Sequence, residues 1–280
     1  MKSVVPKVIS SKKQTAGIPA LNLKPLSSIL IPVPPLEIQE EIACVLDSFI
    51  ELETELETEL ERRKAQYVYY LDKLLTFPNL ETQREFLGKP VKWLTLGEIV
   101  DFINGRAYKK EELLEEGKYP VLRVGNFFSN DKWYYSDLEL SPEKYCNKGD
   151  LLYAWSASFG PKIWDQEKTI FHYHIWRLEF DETLLLKKYL YYFLLNEVEA
   201  IKSSPTTTKS TMMHISMKEM KKRMVPVPPI EVQQRIVDIL DKFDALVNDI
   251  SQGLPAEIEA RRKQYEYYRD KLLTFKEKVN

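Results

Sequence analysis

Residues 31–77 read IPVPPLEIQEEIACVLDSFIELETELETELERRKAQYVYYLDKLLTF, and the chain closes by writing the same passage again. The second copy is VPVPPIEVQQRIVDILDKF over 225–243 and ARRKQYEYYRDKLLTF over 260–275. The offset is 194 from Ile31/Val225 to Leu46/Leu240 and 198 from Gln66/Gln264 to Phe77/Phe275, so the second copy carries four extra residues. Each copy opens on a proline pair, Pro34-Pro35 and Pro228-Pro229. Proline suits the first turn of a helix, because the donor it lacks has no partner there. Apolar residues then recur at Ile38, Ile42, Val45, Phe49, Leu52, Leu56, Leu60, Tyr67, Tyr70 and Leu74, mostly stepping by threes and fours. That is the narrow seam of a coiled coil. The pattern predicts one helix from Leu36 to Thr76, about 60 Å long. In the second copy Gly253-Leu254-Pro255 predicts a break, with Glu257 to Phe275 completing the helix.

Between the rods the composition changes. Pro78 ends the first helix. Trp93 to Phe102 reads as a short strand and turn, and Lys109 to Glu116 as a charged helix-like stretch. Tyr119 to Val124, Asp150 to Trp155 and Lys168 to Phe180 alternate or run apolar as strands do. Thr183 to Ile201 predicts a helix on that sheet, and Ser216 to Arg223 a short basic helix. The expected fold class is α+β: one head with a curved, mostly antiparallel sheet, flanked by two long helices pairing as an antiparallel coiled coil. The expected boundaries are 1–30, whose closing stretch 15–30 lies at the same offset against 209–224, so that it reads as the tail of a preceding head; 31–77, the first helical region; 78–224, the head; and 225–280, the second helical region.

The chain has 280 residues, 44% apolar and 12% aromatic, ample for a buried core. A net charge of −2 excludes nucleic-acid binding by general basicity. The charge is segregated: Glu37 to Glu61 holds ten acids and no base, whereas 78–224 has 22 Lys and Arg against 21 Asp and Glu. Local patches must carry any phosphate binding. Cys44 and Cys146 form no disulfide framework or metal spacing, which suits a cytoplasmic location, with packing as their role. No stretch approaches a membrane span of about 18 apolar residues.

Several chemistries lack their residues. The proline pairs follow Val33 and Val227, so the Asn/Asp-Pro-Pro-aromatic site of adenine methylation is missing, and there is no phosphate-binding GxxxxGK[ST]. Asp101 with Glu116 and Lys118 is too diffuse for a nuclease centre. His172 and His174 would share one face of a strand, as in a metal site, but no third ligand is nearby, and packing is the plainer role. What is left are three loops of small, polar, aromatic and basic residues: Asn104, Arg106, Tyr108 and Lys109; Ser156, Ser158, Phe159 and Lys162; Thr208, Lys209 and Ser210. Each alone fits ordinary loop duty; the set points to DNA. Lys109, Lys162 and Lys209 suit phosphates, Ser156, Ser158 and Thr208 supporting donation, and Arg106 base reading.

The repeated PVPPLEIQEEIACVLDSF and PVPPIEVQQRIVDILDKF, with GLPAEIEARRKQYEYYRDKLLTF and, in the head, WLTLGEI, GDLLYAWSASFGPKIW and FHYHIW, resemble the specificity subunits of type I restriction–modification systems. The resemblance covers nearly the whole chain. It implies a non-catalytic DNA reader whose recognition domain sits in the major groove at one half of a split target, with the paired helices as a ruler. Methyltransferase subunits would dock on it and use S-adenosylmethionine; a restriction subunit, attached indirectly, would use ATP and Mg; this chain would hold no cofactor. The TELE unit resembles repeats that set spacing in this family. Each unit adds about 6 Å of helix against 3.4 Å per base step, or roughly two base pairs. The departure is size: the family usually has two recognition domains and this chain has one. A half-subunit that forms a homodimer on a symmetric site and a truncated product of recombination both fit, and a helical interaction protein that binds no DNA is the rival reading.

Overall fold

The computed structural model describes residues 31–77, 91–204, 207 and 213–275. The expected tail of a preceding head, residues 1–30, lies outside them, as do Thr208, Lys209 and Ser210. In chain order the elements are α1 (Leu36–Leu75), β1 (Lys92–Thr95), α2 (Leu96–Ile99), β2 (Asp101–Asn104), β3 (Tyr119–Leu122), α3 (Val124–Phe128), β4 (Tyr134–Ser136), β5 (Tyr145–Cys146), β6 (Leu151–Ser156), β7 (Ser158–Ile163), β8 (Thr169–Phe171), β9 (Ile175–Glu179), α4 (Lys187–Asn196), α5 (Val198–Ser203), α6 (Met217–Lys221), β10 (Met224–Val227), α7 (Ile230–Asn248) and α8 (Leu254–Leu272). Contacts divide the chain into two compact units, Met1–Gln66 with Phe243–Asn280, and Tyr67–Lys242. Both divisions fall inside helices, α1 and α7.

In the first unit α1 pairs with α8. Arg262 reaches Glu53 at 2.7 Å and Glu57 at 3.4 Å, and the Phe49 and Tyr268 rings stack at 5.4 Å. The partner's number falls as that of α1 rises, so the helices run antiparallel. The break before α8 has a local cause. Asp249 accepts from the Ser251 and Gln252 main-chain N–H groups, folding a turn, and the Gly253 N–H donates to Asp249 O. A Cβ on Gly253 would lie 2.5 Å from Ala245 O, so glycine is needed there for close approach.

The second unit is mixed. β1 pairs with β10 in a two-stranded ribbon; β2-β9-β6-β7 form an antiparallel sheet; β4-β3-β8-β5 form another, in which β3 and β8 are parallel. The α+β class and the mostly antiparallel pairing are as expected, with the strands shared between two four-stranded sheets and a ribbon. Both sheets feed one core that includes Leu122, Phe127, Cys146, Leu152, Ala154, Trp164, Phe171 and Ile175. Cys146 is packed within it, its thiol pushed up in pKa by burial. α4 and α5 pack on β7, close to the expected helix. The charged stretch after Lys109 differs: only Lys110–Glu112 winds, as one 3-10 turn. Leu114 is drawn into a bridge with Tyr135, exchanging two main-chain hydrogen bonds at 2.8 and 2.9 Å, and tertiary pairing overrides the local preference. Among the described residues no helix is long and apolar enough to cross a membrane.

The start of α7 is built into this second unit. Val232, Ile236, Val237 and Leu240 are buried, worth roughly 1.5–3 kcal/mol for each large side chain. Gln233 is fully buried: its Oε1 accepts from the Leu186 N–H at 2.8 Å, and its Nε2 donates to Leu184 O at 3.0 Å and Pro228 O at 2.8 Å. Asp241 accepts from Lys188 Nζ and Tyr192 OH, each at 2.6 Å.

The first copy retains the same residue types as Ile38, Gln39, Ile42, Leu46 and Asp47, but there Ile38, Gln39 and Asp47 are exposed and Ile42 and Leu46 only half-buried. Ile31 and Val33, equivalent to the buried Val225 and Val227, are 66% and 76% exposed. Gln39 keeps the local bond, Nε2 to Pro34 O at 2.7 Å, and is itself exposed. The far ends show the converse. Tyr67, Leu71 and Leu75 of α1 are buried, whereas Leu273, the counterpart of Leu75, is exposed.

Truncating Gln233 leaves the Leu186 N–H and two carbonyls without partners. Gln233→Ala is expected to lower stability by about 1–3 kcal/mol in denaturant unfolding of the full chain. Gln39→Ala, with the same chemistry in water, should leave the midpoint unchanged.

Candidate nucleic-acid interface

The loop after β2 is fixed by a close backbone approach. A Cβ on Gly105 would fall 2.2 Å from Phe171 O and 2.5 Å from His172 O. The Arg106 N–H donates to Phe171 O at 3.0 Å, and Arg106 bridges to His172. The half-buried Arg106 guanidinium reaches Glu112 at 2.7 Å and lies over the Tyr108 ring at 5.3 Å; its Nη1 is buried without a described partner. That hydrogen bond, then the Lys109 main-chain N–H, holds the Glu112 carboxyl below its usual pKa range. The expected base reader is therefore already engaged by its own loop. Tyr108 packs on the small cluster of Val121, Tyr145 and Ile170, and burial raises its hydroxyl pKa. Asn104 Oδ1 accepts from Trp176 Nε1 at 3.0 Å, and Lys109 is exposed.

The β6–β7 hairpin turns on the single residue Ala157, at φ 65°, with Ser156 opposite Ser158. Ala157 donates its N–H to Met213 O at 2.8 Å, and Ser156 bridges to His214. Ser156 and Phe159 are buried; Ala157 and Ser158 meet solvent. Lys162 lies four residues along β7, about 13 Å from the tip by strand rise. Its Nζ donates to Phe127 O at 3.4 Å and lies over the Trp164 ring. The structure thus brings the Arg106 loop, the Ala157 tip and the Met213–Ile215 segment together, and leaves Lys162 away from them.

Sequence reasoning placed His172 and His174 on a strand face. They flank a turn between β8 and β9, closed by Ile175 N–H to His172 O at 3.0 Å. All three histidines of the chain gather here: the His172 and His174 rings lie 4.8 Å apart, and Trp155 stands 5.1 Å from His174 and 6.4 Å from His214. Among the described residues no group of His, Cys, Asp and Glu could hold a metal ion. Burial first, then His174 and Arg123, depress His172 to about 4. His174 is lowered by burial and then by His214. A periodicity reading misses this cluster, because long-range hydrogen bonds make it.

Two outcomes follow. Gly105→Ala must push backbone aside, at a cost of roughly 1–3 kcal/mol or more in unfolding free energy. His172 accepts a proton in the unfolded chain below about 6.5 and in the folded chain below about 4. Its contribution is therefore full above pH 6.5 and lost between 6.5 and 4. Denaturant midpoints should fall over that window, and His172→Gln should flatten the fall.

The family described as a type I restriction modification DNA specificity domain matches residues 5–62 and 89–260. The specificity subunit of the type I restriction enzyme EcoR124I/EcoR124II of Escherichia coli is 35% identical over 86% of this chain, which spans 60% of that relative's length. A Mycoplasma pneumoniae relative named as a type I specificity subunit is 31% identical over 92% of this chain and 91% of its own. The crystal structure of the HsdS subunit from Thermoanaerobacter tengcongensis matches with a TM-score of 0.62 at 18% identity, over 95% of this chain and 67% of that one; this likeness concerns the fold.

Proposed function

Since the chain belongs to the type I restriction modification DNA specificity family, we propose that its head reads one half of a split target in double-stranded DNA and that its helices dock methyltransferase subunits. The convergence of the Arg106 loop, the Ala157 tip and the His214 segment carries this reading. Three segments far apart in sequence meet at one end of the head, as groove recognition requires. The protein itself is non-catalytic; S-adenosylmethionine, ATP and Mg belong to partner subunits, with the restriction subunit attached indirectly and the complex working in the cytoplasm.

Partner docking is supported by a surface written twice. Tyr69 and Tyr267 are equivalent in the repeat, and both are exposed. Lys73 and Lys271 lie over them at 5.3 and 5.7 Å. A matched pair of surfaces suits two copies of one partner. The open face of Ile31, Val33, Ile38, Gln39 and Asp47 suits a second recognition head, since each residue type has its counterpart where α7 holds the first. A homodimer through this face asks the second copy to release its own α7, so a head whose helix site is open is the favoured occupant.

Co-expression with the methyltransferase subunits followed by methylome sequencing should return a discrete methylated motif; uniform absence of methylation refutes the reading. In native mass spectrometry, Tyr69→Ala and Tyr267→Ala should each reduce bound methyltransferase from two subunits to one, and the double variant to none.

A further inference from the structure

The turn His172-Tyr173-His174 is the knot that ties the loops of this end together. The Tyr173 N–H donates to Arg106 O at 3.1 Å, and its carbonyl accepts from Trp155 Nε1 at 2.9 Å. The Trp155 N–H donates to His174 O at 3.1 Å. The main chain of the turn is thus committed to the Arg106 loop on one side and the β6–β7 hairpin on the other. The Tyr173 side chain is not: it is 39% exposed, beside the rings of His172 at 4.4 Å and His174 at 4.0 Å, which also touch each other, and its hydroxyl makes no hydrogen bond to a described residue. Its neighbours are engaged. Arg106 is held by Glu112, Tyr108 by the small core, and Trp155 by its indole bond.

We propose that Tyr173 is a specificity-determining residue of this head, contacting base edges with its ring and hydroxyl, on a turn held by the main chain at Arg106. The assignment rests on the DNA-reading function proposed above. A tyrosine offers a donor, an acceptor and an apolar face at a cost of few rotors, which suits an apolar and polar base edge together. The flanking imidazoles, kept neutral near pH 7 by burial, fix the ring without adding a charge that would favour phosphate over base. The exposed Arg123, close enough to His172 to act on its titration, supplies positive charge beside the turn.

The test is selection of randomised duplex DNA by the full chain in complex with its methyltransferase subunits, for the wild type, Tyr173→Ala and Tyr173→Leu. Truncation removes no main-chain hydrogen bond, so the turn should remain; Leu keeps side-chain bulk if Ala fails to fold. Both variants are expected to lose roughly 5- to 150-fold of discrimination at one or more positions of one half-site, with binding to unrelated duplex and its salt dependence unchanged. A folded variant returning the wild-type motif with undiminished discrimination overturns the assignment. A wild-type complex that selects no motif overturns the DNA-reading function beneath it, and is recognised by the failure of all three proteins alike.

Discussion

The buried amide of Gln233 decides which part of the repeated helix belongs to a folded head. An unpaired amide in that position costs on the order of 1–3 kcal/mol, so the helix can stay there only where carbonyl and N–H partners wait for it. They are main-chain groups of Leu184, Leu186 and Pro228, which makes the requirement one of backbone shape. Lys188 and Tyr192 then add the charged and hydroxyl partners of Asp241. A helix can therefore carry the code for head attachment in a few side chains and leave the rest of its surface to other uses. Tyr69 and Tyr267 occupy that remaining surface in both copies.

The second constraint is the loop knot around residues 172–174. Most of its hydrogen bonds run between main-chain groups, which side-chain substitution leaves in place, and the Trp155 indole adds one from a side chain. Gly105 is its tightest point, because two carbonyls occupy the space a Cβ would take. The side chains above it are consequently free to vary in identity while the frame persists. That separation suits a surface whose chemistry must change and whose geometry must not.

What the sequence made legible was local. The proline pairs, the three-four spacing and Gly253-Leu254-Pro255 led to α1, α7, α8 and the break between the last two, because each is set within a few residues. The helix expected after Lys109 does not form, since Leu114 pairs with Tyr135 and Arg106 claims Glu112 across the loop. Ser156, Phe159 and Lys162 share a loop and hairpin in sequence, yet the first two are buried on opposite faces of the sheet and strand rise carries the third away. Residues 172–174 look like strand because their flanks are strands; the hydrogen bonds that tie the turn down come from residues 106 and 155. Contact between such distant segments leaves no periodic trace.

The break at Gly253 makes the two members of the helical pair mechanically unequal. α1 is an unbroken shaft of 40 residues, in which each backbone hydrogen bond passes torque to the next turn. Its counterpart is jointed, two helices of 19 residues each around an Asp249 turn. Four residues inserted in the shaft push its far end out by about 6 Å and also twist it by about 40°. Lengthening α1 therefore changes its reach and its rotational phase together.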